Sequence, residues 1–332
     1  MTKVVRAFLA VVVANVLGVI LGPALAFAGG GNVARKTTAK PFELYHPAPS
    51  KKGTVLLFHG FSNSTAMWKD EAQHLFEQGF DVMVAALPGH GFVDKQGNED
   101  VSRVPKAHES AKYQKFASAM FDLAAKRSGM VHVAGLSVGG THALEVALSK
   151  QDVRDEQGRK VLRSLVAINP YLSPTPKKVG PFQIDLDRAA WLADRATFGR
   201  ASARLTKMPY VFEAAKLRAA HGSADVGLTE VDYGTLYSIG RFGDAVQARA
   251  KAWHIEPKDQ RLPATIVITE RDPTASPVAS AQIAERIGAA KVVVRSKLHN
   301  LVTKETNPSA RDRALVREAL VRTFEAGLAA AR

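Results

Sequence analysis

Residues 131–140 of the chain read Val-His-Val-Ala-Gly-Leu-Ser-Val-Gly-Gly. The first four predict a buried strand, and residues 138–150 predict a helix that begins directly after the serine. The G-x-S-x-G pattern therefore sets Ser137 on a sharp strand-to-helix turn, where glycines two positions away on either side leave room for the chain. The hydroxyl would project above the sheet, close to the positive end of the helix, which stabilises developing negative charge. In this context the pattern predicts that Ser137 is a nucleophile.

Strands and helices alternate on both sides of this turn. The apolar run at residues 54–58 is continuous, which is typical of a strand buried on both faces of a parallel sheet. This alternation predicts an α/β fold, in which a mostly parallel central sheet carries helices on both faces. The further predicted strands cover residues 81–87, 162–168, 264–269 and 291–295, and the further helices cover residues 65–78, 111–127, 277–287 and 310–330.

The alternation is interrupted between residues 174 and 257, where no buried strand is predicted. A helical block between strands of one sheet predicts a cap over the sheet edge at which ligands bind. The expected organisation is a core in two parts, residues 53–173 and 258–332, with a helical cap at residues 174–257. The predicted cap helices cover residues 186–196, 208–220 and 230–253, with Thr229 as the N-cap of the last.

The N-terminal residues have the pattern of a targeting segment. Lys3 and Arg6 precede an apolar stretch, which ends with a proline and the small-x-small sequence Ala26-Phe27-Ala28. This predicts a signal peptide at residues 1–28 and export of the protein, to the periplasm or as a secreted enzyme. An uncleaved anchor is the alternative, because the stretch is nearly long enough to span a bilayer. Residues 29–52 predict a flexible leader with one short strand at residues 42–46.

The amino-acid composition limits the kinds of site and reaction that the protein could have. The 332 residues include no cysteine, which excludes disulfides, thiol nucleophiles and thiolate zinc sites. The 45 Lys and Arg residues against 31 Asp and Glu give a net charge of +14. These basic residues are scattered, so we expect weak attraction to anionic membrane surfaces and no nucleic-acid partner. Neither H-E-x-x-H nor G-x-x-x-x-G-K occurs, and we expect no metal and no cofactor.

Together with the Pro-Gly-His-Gly turn at residues 88–91, the serine motif carries a resemblance to a known family. The sequence resembles the α/β-hydrolases of the serine type, in a layout similar to the monoacylglycerol lipases and serine aminopeptidase-like enzymes with a helical cap. The resemblance covers nearly the whole chain from about residue 53. It implies a catalytic triad in the chain order serine, acid, histidine.

The resemblance can be carried over residue by residue. It implies that His299, in the loop after the last predicted strand, is the general base. Asp272, in the loop after the strand at 264–269, matches the acid, and Glu270 is its competitor. Two further histidines, His132 and His142, lie inside a predicted strand and helix and are expected to be packing residues.

An acyl-transfer site also needs donors for the oxyanion, and the resemblance implies two backbone amides. One is the amide of Val138, directly after the nucleophile, and the other is that of Phe61 in the sequence His59-Gly60-Phe61. The polar residues 62–64 that follow are expected to cap the next helix rather than line the site. His90, in the Pro-Gly-His-Gly turn, is expected to be structural.

These expectations favour an exported serine esterase or lipase whose partner is a small-molecule ester or lipid, without an obligate protein partner. The alternatives are a peptidase or amidase and an acyltransferase on the same triad. A non-catalytic binding protein is disfavoured by the intact set of residues. Cap aromatics such as Trp191 and Tyr210 would suit an acyl chain, or would serve the cap's own packing.

Overall fold

The computed structural model describes residues 35–36, 42–46, 52–93, 100–179, 182–184, 205–207, 227–228, 230–253 and 261–330. The predicted signal peptide, the cap helices predicted at 186–196 and 208–220, and Thr229 lie outside these residues. No helix of the described ranges combines the length and the apolar character that crossing a membrane requires.

Seven of the described strands form one sheet, which confirms the predicted α/β class. In chain order they are β1 (Phe42–Leu44), β2 (Thr54–Phe58), β3 (Asp81–Ala85), β4 (Val131–Leu136), β5 (Leu162–Ile168), β6 (Ala264–Thr269) and β7 (Ala290–Val294). Across the sheet they follow the order β7-β6-β5-β4-β2-β3-β1. Every neighbouring pair is parallel except β1 with β3. Because β1 lies in the predicted leader, the sheet begins before residue 53.

Helices connect the parallel strands and cover both faces of the sheet. They are α1 (Lys69–Glu77), α2 (Ala111–Ser128), α3 (Val138–Lys150), α4 (Tyr233–Lys251), α5 (Pro277–Ile287) and α6 (Ala310–Ala329). Alternate residues of a strand point to opposite faces. In β2, Leu56 and Phe58 therefore pack with α2 to α5, whereas Val55 and Leu57 pack with α1 and α6.

Helix α3 lies at the centre of the first of these two cores. It is buried on nearly all sides, from Val138 to Leu148, because it packs between the sheet and the helices α2 and α4. A helix that is buried on nearly all sides is expected only in such a position.

The region predicted as a helical cap differs in part from the prediction. The described residues include short paired strands, Lys177–Val179 with Phe182–Ile184 and Leu205–Lys207 with Glu230–Asp232. The predicted helix at 230–253 accordingly begins only at Tyr233. Strands of three residues are too short to show the alternation by which a sequence indicates a strand.

Helix α4, which lies within the predicted cap, contacts the core through a hydrogen bond and an ion pair. The Gln247 side-chain amide donates to the Leu172 carbonyl at 2.8 Å. Arg249 lies 3.3 Å from the buried carboxylate of Glu145 in α3. Burial raises the pKa of Glu145, and the nearby Arg249 opposes that shift. The helix therefore packs on the core rather than standing apart from it.

At one margin of the sheet lies β7, whose outward-facing Val293 is 57% exposed. No strand of the described ranges pairs with its outer edge. Lys291, in the same strand, forms an ion pair with Glu285 of α5 at 2.8 Å. The opposite margin is formed by the antiparallel strand β1.

Gly327 allows α6 to pack closely on β5, and this contact can be tested. A Cβ at Gly327 would lie 2.6 Å from the Arg163 carbonyl oxygen. Helix propensity alone predicts that Gly327→Ala stabilises the protein by about 1 kcal/mol. We expect the opposite, a loss of roughly 1–3 kcal/mol, because the added methyl overpacks the interface. Urea denaturation measures the difference, and a raised midpoint would contradict the close packing.

Candidate active site

Ser137 occupies the turn between β4 and α3. Its backbone angles are φ 58° and ψ −125°, a conformation that is strained for any residue with a side chain. The Ser137 N–H donates to the Ile168 carbonyl at 2.9 Å, and the Ser137 carbonyl accepts from the Tyr171 N–H at 3.1 Å. The serine is 7% exposed. Strained backbone of this kind, fixed from a neighbouring strand, is typical of functional sites.

Two glycines make this turn possible. A Cβ at Gly135 would lie 2.1 Å from the Gly139 carbonyl oxygen, and a Cβ at Gly139 would lie 2.3 Å from the Phe58 carbonyl oxygen. Neither position can hold a side chain, so α3 begins directly against the ends of β4 and β2. The first amides of a helix, here from Val138 onward, have no acceptor within the helix and favour negative charge.

Asp272 and His299 are brought together from two loops. The His299 Nδ1–H donates to Asp272 Oδ2 at 2.7 Å, and both side chains are buried. The other carboxylate oxygen accepts from the N–H groups of Thr274 at 2.7 Å and Ala275 at 3.0 Å. With its proton on Nδ1, the imidazole carries its lone pair on Nε2, the nitrogen through which a general base would act.

Glu270, the competing acid, lies at the end of β6. Its side chain is exposed, and its backbone N–H donates to the Val294 carbonyl at 3.0 Å. The carboxylate that meets His299 is that of Asp272.

Asn169 connects the histidine loop to the strand beside Ser137. This buried residue directly follows Ile168, the acceptor for the Ser137 N–H. Its side-chain amide donates to the His299 carbonyl at 2.7 Å. No motif in the sequence indicates Asn169 as a site residue. Two sequence features could have indicated it. Asn169 lies directly after a buried strand and before a proline, and an asparagine side chain can bond to backbone groups.

The loop after β2 lies against the nucleophile. A Cβ at Gly60 would be 3.7 Å from the Ser137 Cβ, an ordinary contact distance. The Gly60 carbonyl accepts from the His59 Nδ1–H at 2.7 Å and from the Asn63 N–H at 3.0 Å. Because the peptide bond is planar and trans, these bonds also fix the direction of the Phe61 N–H, opposite to the Gly60 carbonyl.

Of the polar residues after Phe61, Ser64 caps the next helix as expected, whereas Asn63 does not. Ser64 is the N-cap of a short 3-10 helix at Thr65–Trp68, and its hydroxyl accepts from the Ala66 N–H at 3.2 Å. Asn63 instead bonds back to Gly60 through its backbone.

His59 has a single possible tautomer in this arrangement. Its Nε2 accepts from the Leu87 N–H at 3.0 Å, so the proton lies on Nδ1 and is donated to Gly60. Burial, and next the neighbouring His90, hold the pKa of His59 well below its usual value. Neutral His59 therefore connects the segment just after β3 to the loop that carries Phe61.

His90 holds the next peptide of the same loop. Its Nε2 donates to the Phe61 carbonyl, and its ring packs edge-on against those of His59 and Phe61. Burial lowers the pKa of His90 as well. The structure thus places His90 in the framework of the loop, as the sequence predicted.

The two histidines expected to be packing residues are fully buried. His132 bonds to Ser164 and to the Lys52 carbonyl, and burial lowers its pKa to about 3. His142 donates to the Val138 carbonyl among aromatic rings, and burial lowers its pKa to about 4. Among the described residues, no group of three or more His, Asp or Glu side chains has a geometry that could hold a metal ion.

Comparison with known proteins shows first the fold of this chain and then the family to which the chain belongs. Three similar solved structures are a monoacylglycerol lipase from Paleococcus ferrophilus, a soluble variant of monoglyceride lipase from Saccharomyces cerevisiae, and a metagenome-derived lipolytic enzyme. The TM-scores are 0.59, 0.60 and 0.59, and the identities are 16%, 13% and 18%. The matches cover 86%, 91% and 87% of this chain and 99%, 99% and 98% of the others. This similarity shows the α/β-hydrolase fold.

The family model described as serine aminopeptidase, S33 matches residues 49–304. The chain therefore belongs to this family of α/β-hydrolases, and it is a serine hydrolase. A search of curated proteins finds no significant match.

Two substitutions at His59 separate the effect of its bond to Gly60 from the effect of its bond to Leu87. His59→Asn keeps an N–H close to the position of Nδ1, so we expect the Gly60 bond and the activity to persist. It leaves the buried Leu87 N–H unpaired, which costs about 1–3 kcal/mol of stability. His59→Gln offers an acceptor to Leu87 but no donor to Gly60, and kcat should fall roughly 10- to 100-fold. Hydrolysis kinetics and urea denaturation of both variants check this, and equal kinetics would contradict it.

The buried histidines predict how stability depends on pH. Unfolded histidine binds a proton below about pH 6.5, whereas folded His132 stays neutral down to about pH 3. The unfolded state therefore binds more protons between these values, and stability falls as pH falls from 6.5. His132→Gln cannot titrate and keeps a donor for Lys52. We expect its urea-derived unfolding free energy to fall less steeply with pH, by about 1.4 kcal/mol per unit. Equal slopes in the two proteins would contradict this.

Proposed function

We propose that the protein hydrolyses carboxylic esters through Ser137, His299 and Asp272. The observation that carries the proposal is the buried 2.7 Å hydrogen bond between Asp272 and His299. This bond orients the His299 imidazole. Asn169 connects the loop that carries His299 to the end of β5, and β5 bonds to the strained turn at Ser137 through Ile168. A hydroxyl is a weak nucleophile unless a base takes its proton, and a carboxylate on the far nitrogen stabilises that base in its charged form.

In this mechanism Ser137 Oγ attacks the ester carbonyl while its proton passes to His299 Nε2. The carbonyl oxygen becomes negatively charged, and the N–H groups of Val138 and Phe61 donate to it. The carbon–oxygen bond to the leaving alcohol then breaks as His299 returns the proton to that oxygen. Water attacks the acyl-enzyme in the same way, releasing the acid and restoring the serine. Asp272 remains ionised throughout and stabilises the imidazolium.

The arrangement around Phe61 supports an acyl-transfer reaction in particular. The carbonyl groups on both sides of the Phe61 N–H are held by His59 and His90. A donor fixed before the reaction needs no reorganisation when charge develops, and one such donor contributes about 3 kcal/mol to lowering the barrier. The loop contacts Ser137 through Gly60, as an oxyanion donor requires.

An ester or lipid substrate is favoured by the names of the similar structures, two of which are monoacylglycerol or monoglyceride lipases. The family description, serine aminopeptidase, favours peptide or amide bonds as the second candidate. Acyl transfer to an acceptor other than water uses the same steps. Export by the segment at residues 1–28 belongs to the proposal as well, and would place the substrate in the cell envelope or outside the cell.

A fluorophosphonate probe tests the proposed nucleophile. We expect it to label the wild-type protein and to fail on Ser137→Ala, because the probe reacts only with an activated serine. Asp272→Asn should lower kcat about 10³- to 10⁴-fold, whereas Glu270→Gln, its control from the same loop, should leave kcat near the wild-type value. Turnover is measured on p-nitrophenyl esters and on aminoacyl amides.

Each result has a definite consequence. Labelling that survives Ser137→Ala would move the nucleophile elsewhere, and a large effect of Glu270→Gln would overturn the choice of acid. Turnover of aminoacyl amides with none of esters would replace the esterase by the peptidase.

A further inference from the structure

We infer that Asn169 is a positioning residue, which sets the backbone of the His299 loop relative to the turn that holds Ser137. The inference rests on the proposed function, since it assigns His299 and Ser137 to one reaction. Asn169 bonds to the His299 carbonyl, and its chain neighbours Ile168 and Tyr171 bond to Ser137. It belongs to neither the predicted triad nor the predicted oxyanion donors.

On the histidine side, the contact is a pair of hydrogen bonds to consecutive carbonyls. The Asn169 amide nitrogen donates to the His299 carbonyl at 2.7 Å. It also donates at 2.9 Å to the hydroxyl of Thr269, which in turn donates to the Leu298 carbonyl at 3.0 Å. The peptides on either side of the His299 Cα are therefore held by Asn169 and Thr269.

The orientation of the Asn169 amide follows from this network. The single hydroxyl proton of Thr269 is used on Leu298, so the Asn169 group that meets this hydroxyl must be the donor. The Asn169 oxygen then accepts from the Thr269 backbone N–H at 2.7 Å. Both amide hydrogens and the oxygen have partners, and such a fully satisfied buried network is rigid.

On the serine side, the link is made by the backbone around Asn169. The preceding residue, Ile168, accepts from the Ser137 N–H, and Tyr171 donates to the Ser137 carbonyl. The Thr141 hydroxyl in α3 also donates to the Tyr171 carbonyl at 2.8 Å. One four-residue segment, residues 168–171, is thus bonded to the serine by its backbone and to the histidine loop by a side chain.

The backbone at Asn169 is itself unusual, with φ 42°. This left-handed conformation is tolerated by asparagine and glycine and disfavoured for other residues. Asn169→Gly therefore removes the side chain without straining the backbone, which isolates the effect of the hydrogen bonds.

The consequence for catalysis concerns geometry rather than the acid–base pair itself. Asp272 is oriented by its own bonds to Thr274 and Ala275, and those remain when Asn169 is changed. Without Asn169, the carbonyl contacts loosen, and we expect the backbone that carries the imidazole to shift relative to the Ser137 turn. A displacement of about 1 Å at a reacting group can cost roughly 100-fold in rate.

The test compares Asn169→Gly and Thr269→Val with wild type, using Thr269→Ser as the conservative variant that keeps the hydroxyl. We expect the first two to lower kcat and the rate of fluorophosphonate labelling roughly 10- to 100-fold with little change in KM, and Thr269→Ser to stay near wild type. The downfield NMR resonance of the His299 Nδ1 proton, which reports the bond to Asp272, should shift or broaden in Asn169→Gly.

The matched control is Thr265→Val, at the opposite end of β6. It removes a buried hydrogen bond of 2.7 Å to Thr323, so it lowers stability without touching the histidine loop. We expect its kcat and its Nδ1 resonance to match those of the wild type.

The outcomes separate the two proposals. A wild-type protein that neither reacts with the probe nor turns over any ester or amide would remove the proposed function, and this inference with it. A reactive wild type, with kcat and the Nδ1 resonance unchanged in both Asn169→Gly and Thr269→Val, would overturn the inference alone. A rate loss in Thr265→Val as large as theirs would reduce Asn169 to a general contribution to stability. If Asn169→Gly does not fold, Thr269→Val and Thr269→Ser decide.

Discussion

The close approach of helix α3 to the ends of β4 and β2 is the constraint on which the site depends. Gly135 and Gly139 allow it, because a Cβ at either would overlap with a backbone carbonyl. The approach holds Ser137 in a strained conformation directly before α3, at the helix end that favours negative charge. It also sets the loop after β2 beside the serine, through the contact at Gly60. A single packing requirement thus places the serine both at the start of a helix and beside the loop after β2.

The parallel sheet supplies the remaining groups by a different means. Because parallel strands end at one edge, the loops after β5, β6 and β7 meet there, although they are far apart in sequence. Asn169, Asp272 and His299 come from these three loops, and hydrogen bonds between them replace any continuous element of structure. In the loops after β2 and β3, the buried His59 and His90 stay neutral because burial disfavours their charged form. These neutral imidazoles bond to the carbonyl groups of Gly60 and Phe61 without adding positive charge to the loop.

The sequence predicts those features that residues close together in the chain specify, and it does not predict those that depend on distant partners. The strand Thr54–Phe58 and the helix Val138–Lys150 have the predicted bounds, because a buried run or a turn motif specifies them locally. The helix predicted from residue 230 begins at Tyr233, since its first residues pair with Leu205–Lys207, a partner that local patterns cannot indicate. Asn169 is the clearest omission from the site. Its contacts reach 100 and 130 residues along the chain, and one asparagine after a strand has no distinctive pattern.

The two margins of the sheet differ in a way that bears on how the protein behaves at high concentration. The antiparallel strand β1 covers one margin, whereas within the described ranges the outer side of β7 has no partner strand. Three consecutive valines lie there, and Lys291 and Arg295 flank them. An unpaired, β-branched margin is a template for association with another chain, and flanking charges oppose it by repulsion and hydration. Lys291 and Arg295 are therefore expected to oppose pairing of this margin with a second copy of the chain.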